Sequence, residues 1–327
     1  MRLTLCRAAA SAAAAAAASL ALISSAMAFD LQGHRGARGL APENTLAGFA
    51  AALRIGVDTL ELDLAITRDG VVVISHDPRL NPDLTRDASG NWITAPGPAI
   101  NTLSLGELQR YDVGRLQPGT RYAQRYPQQL PADGERIPTL AALFQKVKAL
   151  GADHVRFNIE IKQTPLEPGL TPQPEAFARA VLAVVREHGM GQRVTVQGFD
   201  WRSLQAMRAL APEIPIAALT VRQSFLDNLT DPRWTAGLKL ADHGGSVPRL
   251  VKALGAAVWS PYHLELDAGS LAEAKALGLK VIPWTVNEPA QIEPLLGLGV
   301  DGIITDHPER VRDAMARRRM PLPAAAR

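Results

Sequence analysis

Cysteine is almost missing from this chain: one stands in 327 residues, at position 6. Cys6 precedes the Ala-rich N-terminal run, too early to be a lipid-attachment site. Without it the remaining chain has no disulfide and no thiolate nucleophile. An excess of charge is missing as well. Of 35 basic residues, Arg2 and Arg7 belong to the N-terminal run, which leaves 33 against 32 acidic ones. That near balance supplies no field to gather a polyanion, which speaks against nucleic acid as a general partner. No Gly-rich dinucleotide loop follows the first strand candidate, which weakens the case for an open doubly wound sheet.

What is present begins with a processing signal. Arg2 and Arg7 give a positive start, an apolar Ala-rich run follows, and Ala26-Met27-Ala28 forms an A-x-A cleavage site. Residues 1–28 are therefore expected to be a signal peptide. The rival reading is an uncleaved anchor, since the run is nearly long enough to span a bilayer. Alanine is only weakly apolar, however, and the triplet is well formed. The expected mature chain, 29–327, then resides in the periplasm or outside the cell with no stable membrane insertion. With 47% hydrophobic residues over its full length, the chain is an ordinary globular protein, able to bury about three-quarters of its unfolded surface. The basic tail "ARRRMPLPAAAR" reads as a helix end and a frayed terminus.

Short β-rich runs alternate with helical ones. The strand candidates are "LQGHRG", "TLELDLAIT", "VVVISHD", "RFNIEIK", "RVTVQGF", "PIAAL", "AAVWSPY", "KVIPWTV" and "GIITD". Helical patterns such as "NTLAGFAAALRIG", "PEAFARAVLAVVREHG" and "LAEAKALG" lie between most of them and end at glycine. This alternation implies parallel strands joined by crossover helices. Only "RDG" or so separates the second run from the third, too little for a parallel crossover, and Asp69-Gly70 is a hairpin signal. The third run is thus an antiparallel excursion after strand 2, and eight parallel strands remain. The spacing predicts a (β/α)₈ TIM barrel with an insertion at about 79–137, before the next barrel strand. That insertion is rich in Pro, Gly, Asn and Asp, as functional lids are. Its Trp92, Tyr111, Tyr122 and Tyr126 serve either to cover a site or to pack the lobe.

Barrel enzymes place catalysis at the C-terminal ends of the strands. His34 ends the first. Glu61 and Asp63 are two apart on the second and share a face. Pairing about the Asp69-Gly70 turn returns His76 close to Leu62 and Asp63. Glu160 and Lys162 repeat the two-residue spacing on the next strand. Three carboxylates at one mouth repel unless a cation holds them, and oxygen-only ligation suits Ca²⁺ or Mg²⁺. Arg35 and Lys162 add fixed positive charge. Together these residues describe a phosphoryl-oxygen site with its own acid and base. The bland readings are structural histidines, a Glu160–Lys162 ion pair, and a zinc site built on His34 and His76. Convergence at adjacent strand ends favours the functional one.

In order, "HRG", "PENT", "ELD", "DG-VVV-SHD", "IPTL", "IEIK", "GF", "PWTVN" and "GVDGIITDHP" resemble the glycerophosphodiester phosphodiesterase family from His34 to Pro308. The resemblance implies a TIM barrel that hydrolyses glycerophosphodiesters to an alcohol and glycerol 3-phosphate with a divalent cation. It implies His34 and His76 as the acid/base pair and Glu61, Asp63 and Glu160 as metal ligands. Arg35 and Lys162 would hold the phosphate, Trp284 would line the glycerol pocket, and Glu43 would touch the metal or orient a residue that does. One departure is "VQGF", where the family more often has serine at the place of Gly198. A second enzyme class, lysophospholipases of the D type and sphingomyelin-cleaving enzymes, shares the scaffold and needs an apolar route for an acyl chain. A non-enzymatic binding barrel would need a decayed site, and all five central residues are present.

Overall fold

A computed structural model describes residues 29–326; the expected signal peptide, 1–28, lies outside the described residues. Among the described residues eleven strands are formed: β1 (Asp30–Gly33), β2 (Thr59–Ile66), β3 (Val72–Ile74), β4 (Arg156–Ile161), β5 (Val194–Gly198), β6 (Ile216–Thr220), β7 (Arg222–Gln223), β8 (Leu226–Asp227), β9 (Val258–Pro261), β10 (Lys280–Val281) and β11 (Gly302–Thr305). Eight of them run parallel in the order β10-β9-β6-β5-β4-β2-β1-β11. The seam between β10 and β11 has no continuous ladder, because Pro283 lacks an N–H. Single hydrogen bonds bridge it instead: Asp301 N to Val281 O at 2.9 Å, Ile304 N to Pro283 O at 3.0 Å, and Val286 N to Ile304 O at 3.0 Å. The result is a nearly closed (β/α)₈ barrel.

The alternation within the strands sorts residues between two layers. Along β2, Leu60, Leu62 and Leu64 join the main apolar core under the helices, whereas Glu61 and Asp63 face the lumen. Helix 174–187 supplies a matching stripe, with Phe177, Ala178, Val181, Leu182 and Val185 all buried. The helix at 46–55 starts where Thr45 accepts a hydrogen bond from Gly48 N at 3.0 Å. The lumen itself is unusually polar. Asn158 donates to Gln32 at 2.8 Å and to Gln197 at 2.7 Å, and Gln197 donates to Glu61 at 2.8 Å. Ala217, Val258, Ile282 and Ile304 form an apolar cluster beneath Trp284, and Leu219 lines the cavity as well.

β3 pairs antiparallel with β2, with Leu64 opposite Ile74 and Ile66 opposite Val72. Ser75 N continues that ladder to Asp63 O at 2.9 Å, which delivers His76 to the barrel mouth. Segment 79–137 forms a lobe over this hairpin, with its own small core of Ala65, Val73, Leu80, Ile100, Leu108 and Ile137. Among the described residues no helix is long and apolar enough to cross a membrane.

Candidate active site

The first strand ends in a turn that only its own sequence allows. Gly36 has φ +89°, and a Cβ on it would meet the Gly48 carbonyl carbon at 2.6 Å. Arg35 itself sits at φ +51°, the left-handed region a long side chain seldom occupies. The gain is functional geometry. Arg35 N donates to Glu61 Oε2 at 2.9 Å, and its guanidinium reaches Glu43 at 2.7 Å and Asp63 at 3.1 Å. Asn44 of "PENT", also left-handed at φ +54°, donates to Asp63 Oδ2 at 2.9 Å.

Register brings the carboxylates together. Asp63 lies opposite Glu160 in the β2–β4 ladder. One oxygen each from Glu61, Asp63 and Glu160 fall within 4.8 Å of one another, all buried. Asp63 Oδ1 is buried with no hydrogen-bond partner, an acceptor still in need of positive charge. Three hard oxygens and one orphaned acceptor fit a divalent cation of the Ca²⁺ or Mg²⁺ kind. Among the described residues this is the one such cluster, and no histidine joins it, which disfavours the zinc reading. Lys162 contacts Glu160 at 2.8 Å and Asp63 at 3.9 Å, so the ion pair weighed against a phosphate role is present. Arg35 and Lys162 thus compensate the cluster.

Burial pushes Glu61 well above the usual carboxylate range, and the neighbouring charges of Asp63 and Glu160 add to it. Glu160 is pushed up to about 7 by burial, against the opposing pull of Lys162. Asp63 is also buried, but Arg35, His76 and Lys162 outweigh that and hold it low.

The two histidines flank the cluster. His34 Nδ1 lies 2.6 Å from Asp306 Oδ1, and its Nε2 is 3.8 Å from Glu61. Asp306 is held in turn by Arg38 at 2.9 and 3.1 Å and by Asn287 at 2.7 Å. Burial and the Arg38 charge lower His34 to about 4. His76 Nδ1 lies 2.7 Å from Asp77, which also accepts from Asn81 at 2.9 Å. Burial, then Arg35 and Lys162, hold His76 well below the usual imidazole value. With Nδ1–H donating to a carboxylate, each ring has Nε2 as its basic nitrogen.

Two tyrosines of the insertion reach residues that support the site. Tyr122 hydrogen-bonds Glu43, while Tyr126 lies under Arg38 at 4.9 Å and near Asp306 at 3.5 Å. Trp92 and Tyr111 do not reach the site: Trp92 stacks on Arg86 at 5.7 Å and Tyr111 packs on the lobe core. Glu43 bonds Arg35 and Tyr122 and lies outside the carboxylate cluster. Trp284 donates to Ser260 O at 2.9 Å and lines the same cavity of about 310 Å³ as His34, Arg35, Glu61, His76, Glu160 and Lys162.

Sequence reasoning brought nine candidates to this mouth but missed Arg38, Asn44, Tyr122, Gln197, Asn287 and Asp306. Asp306 had a usable signal, an acid at the end of the last strand. At Gly198, a Cβ would meet Ile161 O and Ser203 Oγ at 3.6 Å. That position faces the helix layer, away from the lumen that Gln197 occupies.

Three comparisons bear on this geometry. The model of the glycerophosphoryl diester phosphodiesterase family matches residues 34–310. A glycerophosphodiester phosphodiesterase of Caldanaerobacter subterraneus is 29% identical over 277 residues, 84% of this chain and 93% of that protein. Human lysophospholipase D GDPD1 is 27% identical, covering 86% of this chain and 84% of its own. A crystal structure from Silicibacter pomeroyi, provisionally assigned as a glycerophosphoryl diester phosphodiesterase, has a TM-score of 0.81 at 34% identity, covering 90% of this chain and 95% of that one. An Oleispira antarctica phosphodiesterase, in complex with the product sn-glycerol-3-phosphate, shares the fold with a TM-score of 0.64 at 24% identity, covering 88% and 96%.

Proposed function

The chain belongs to the glycerophosphoryl diester phosphodiesterase family, and from that premise we propose how its residues do the chemistry. It hydrolyses glycerophosphodiesters to an alcohol and sn-glycerol 3-phosphate, using one divalent cation, Ca²⁺ or Mg²⁺, and two histidines. The carrying observation is the three-carboxylate cluster set between two carboxylate-anchored imidazoles.

Glu61, Asp63 and Glu160 would hold the cation, which when bound neutralises charge on the phosphoryl oxygens. Gln197 and Arg35 N each occupy one oxygen of Glu61 and so orient it. Arg35 and Lys162 supply fixed positive charge to the phosphodiester anion. His34, kept neutral by burial and the Arg38 charge and in one tautomer by Asp306, takes the proton of the attacking oxygen as its bond to phosphorus forms. The bond from phosphorus to the departing alcohol breaks, and His76 gives that oxygen a proton. The Arg35 and Lys162 charges that depress His76 are partly cancelled by a bound phosphodiester anion, which favours the protonated ring.

Chelation should abolish turnover of glycerophosphocholine, and Ca²⁺ or Mg²⁺ should restore it. Full activity after exhaustive chelation, or rescue by Zn²⁺ alone, would refute the reading. A lysophospholipase D activity, the one the human relative's name carries, is the second reading. Glycerophosphocholine assayed against its lyso-lipid counterpart separates the two. On the Ala26-Met27-Ala28 signal we also assign the mature barrel, 29–327, to the periplasm or the exterior; N-terminal sequencing of exported protein tests this.

A further inference from the structure

The catalytic cavity opens on one side into a second space of about 380 Å³ that the proposed chemistry does not use. Its inner end is shared with the site at His76, Glu160 and Lys162, and Phe199 and Trp284 stand at the junction. Beyond them its walls are Pro78, Leu170, Leu226 and Trp234. The segments after β3 and β4 and the small β7–β8 hairpin build these walls. Phe225, at the hairpin tip, is 64% exposed yet ordered by neighbours. Its ring meets Tyr262 at 5.6 Å, Tyr262 meets Trp284 at 5.5 Å, and Trp284 meets Phe199 at 5.1 Å. An aromatic wall thus runs from beside the Lys162 ammonium, 5.5 Å from the Phe199 ring, out to solvent. A contiguous aromatic and aliphatic wall opening from the site cavity is the kind of concave apolar surface that takes a ligand.

We propose that this groove receives the departing alcohol, and that the preferred substrates are glycerophosphodiesters of an apolar alcohol. The proposal rests on the phosphodiesterase reading above, with His76 on the leaving side. The groove begins at His76 and Asp77, whereas His34, Arg38 and Arg125 border only the other part of the cavity. A chain seated there lies on the acid's side of phosphorus. Aromatic walls also attract quaternary ammonium groups, but the groove's two carboxylates are already paired, Asp77 with His76 and Glu160 with Lys162, and the aliphatic Pro78, Leu170 and Leu226 beyond them offer a cation nothing.

A series of glycerophospho-n-alkyl esters, methyl to octyl, tests this. kcat/KM should rise about two- to four-fold per methylene, the return for burying one CH₂, until the groove is filled. Leu170→Ser and Leu226→Ser should each cut the octyl-to-methyl ratio about ten-fold, with each variant's own methyl ester as reference. A flat series overturns the proposal, as does a slope that neither variant changes. A slope found only when the chain is carried on the glycerol side, as in a lysophospholipid, also overturns it, and so does a choline ester preferred ten-fold over its neutral 3,3-dimethylbutyl isostere. No turnover of any ester would overturn the phosphodiesterase reading and this inference with it. A flat series with the methyl ester turned over overturns the inference alone.

Discussion

His34 and His76 bring the same imidazole to one cavity, yet the protein holds them by different means. His34 is 12% exposed, and its partner Asp306, at 2%, is gripped by a guanidinium and an amide. His76 is 31% exposed, and its partner Asp77, at 37%, has only Asn81 behind it. The first arrangement draws on β1, β11 and the insertion; the second is nearly local, since Asp77 is the next residue. A buried carboxylate is costly unless paired, so the Asp306 network must be complete. At the open His76 side solvent shares that load, and the proposed mechanism has the alcohol leave there. Tight support suits a ring that must hold one tautomer, and open support suits one beside an exit.

The largest effects should come from the rings themselves. His34→Ala and His76→Ala should each lower kcat on a glycerophosphodiester with an alkyl head group roughly 10²–10⁴-fold. With a nitrophenyl leaving group, which departs unprotonated, His76→Ala should recover much of its rate and His34→Ala should not. Recovery by His34→Ala instead would exchange the roles. Equal impairment on both substrates would remove the dedicated acid.

Their anchors sharpen the contrast. Asp306→Asn frees the wrong tautomer and should cost about 10²–10³-fold in kcat. Asp77→Asn should cost about ten-fold or less, and equal losses would erase the distinction between the two sides. Lys162→Met should lower turnover by about two orders of magnitude. Because Lys162 also pairs with Glu160, its melting temperature should fall more in chelator than with metal. A large fall in both conditions with turnover retained would leave Lys162 a purely structural partner.

Proton linkage gives a milder test. Burial raises Glu160 to about 7, so the metal-free native chain binds more protons than the unfolded one between the ordinary carboxylate value and that pH. Metal-free stability should therefore drop as pH rises through this window. A cation needs the deprotonated cluster, so the metal-induced rise in Tm should grow from about pH 6 to pH 8. A constant rise, measured by thermal melts with Mg²⁺ and with chelator, would exclude Glu160 as a ligand. The smallest change should be Tyr122→Phe, a few-fold in kcat/KM through one lost hydrogen bond to Glu43. Trp92→Ala, at the far end of the same insertion, should leave kcat/KM unmoved.

Much of the architecture was legible because its causes are local. Period-two alternation in "TLELDLAI" separates Leu60, Leu62 and Leu64 from Glu61 and Asp63 wherever the strand is placed. The nine strand runs expected all carry strands. The β7–β8 hairpin was not foreseen, since two-residue strands in "VRQSFLD" leave no period to read. It matters, because Phe225 and Leu226 stand on it.

By itself the sequence determined the strand–helix alternation and the shared face of Glu61 and Asp63, and it carried the family motifs that point to Glu43 and Trp284. The first two follow from side-chain period over a few residues. Only the tertiary structure decided the partners. Asp306 stands 272 positions from His34, Gln197 stands 136 from Glu61, and Tyr122 stands 79 from Glu43. Those contacts exist because near-closure of the barrel sets β11 beside β1 and turns β5 into the lumen, and because the insertion folds back over the first turn. Near-closure is a property of the whole sheet, with no period in any one strand to announce it.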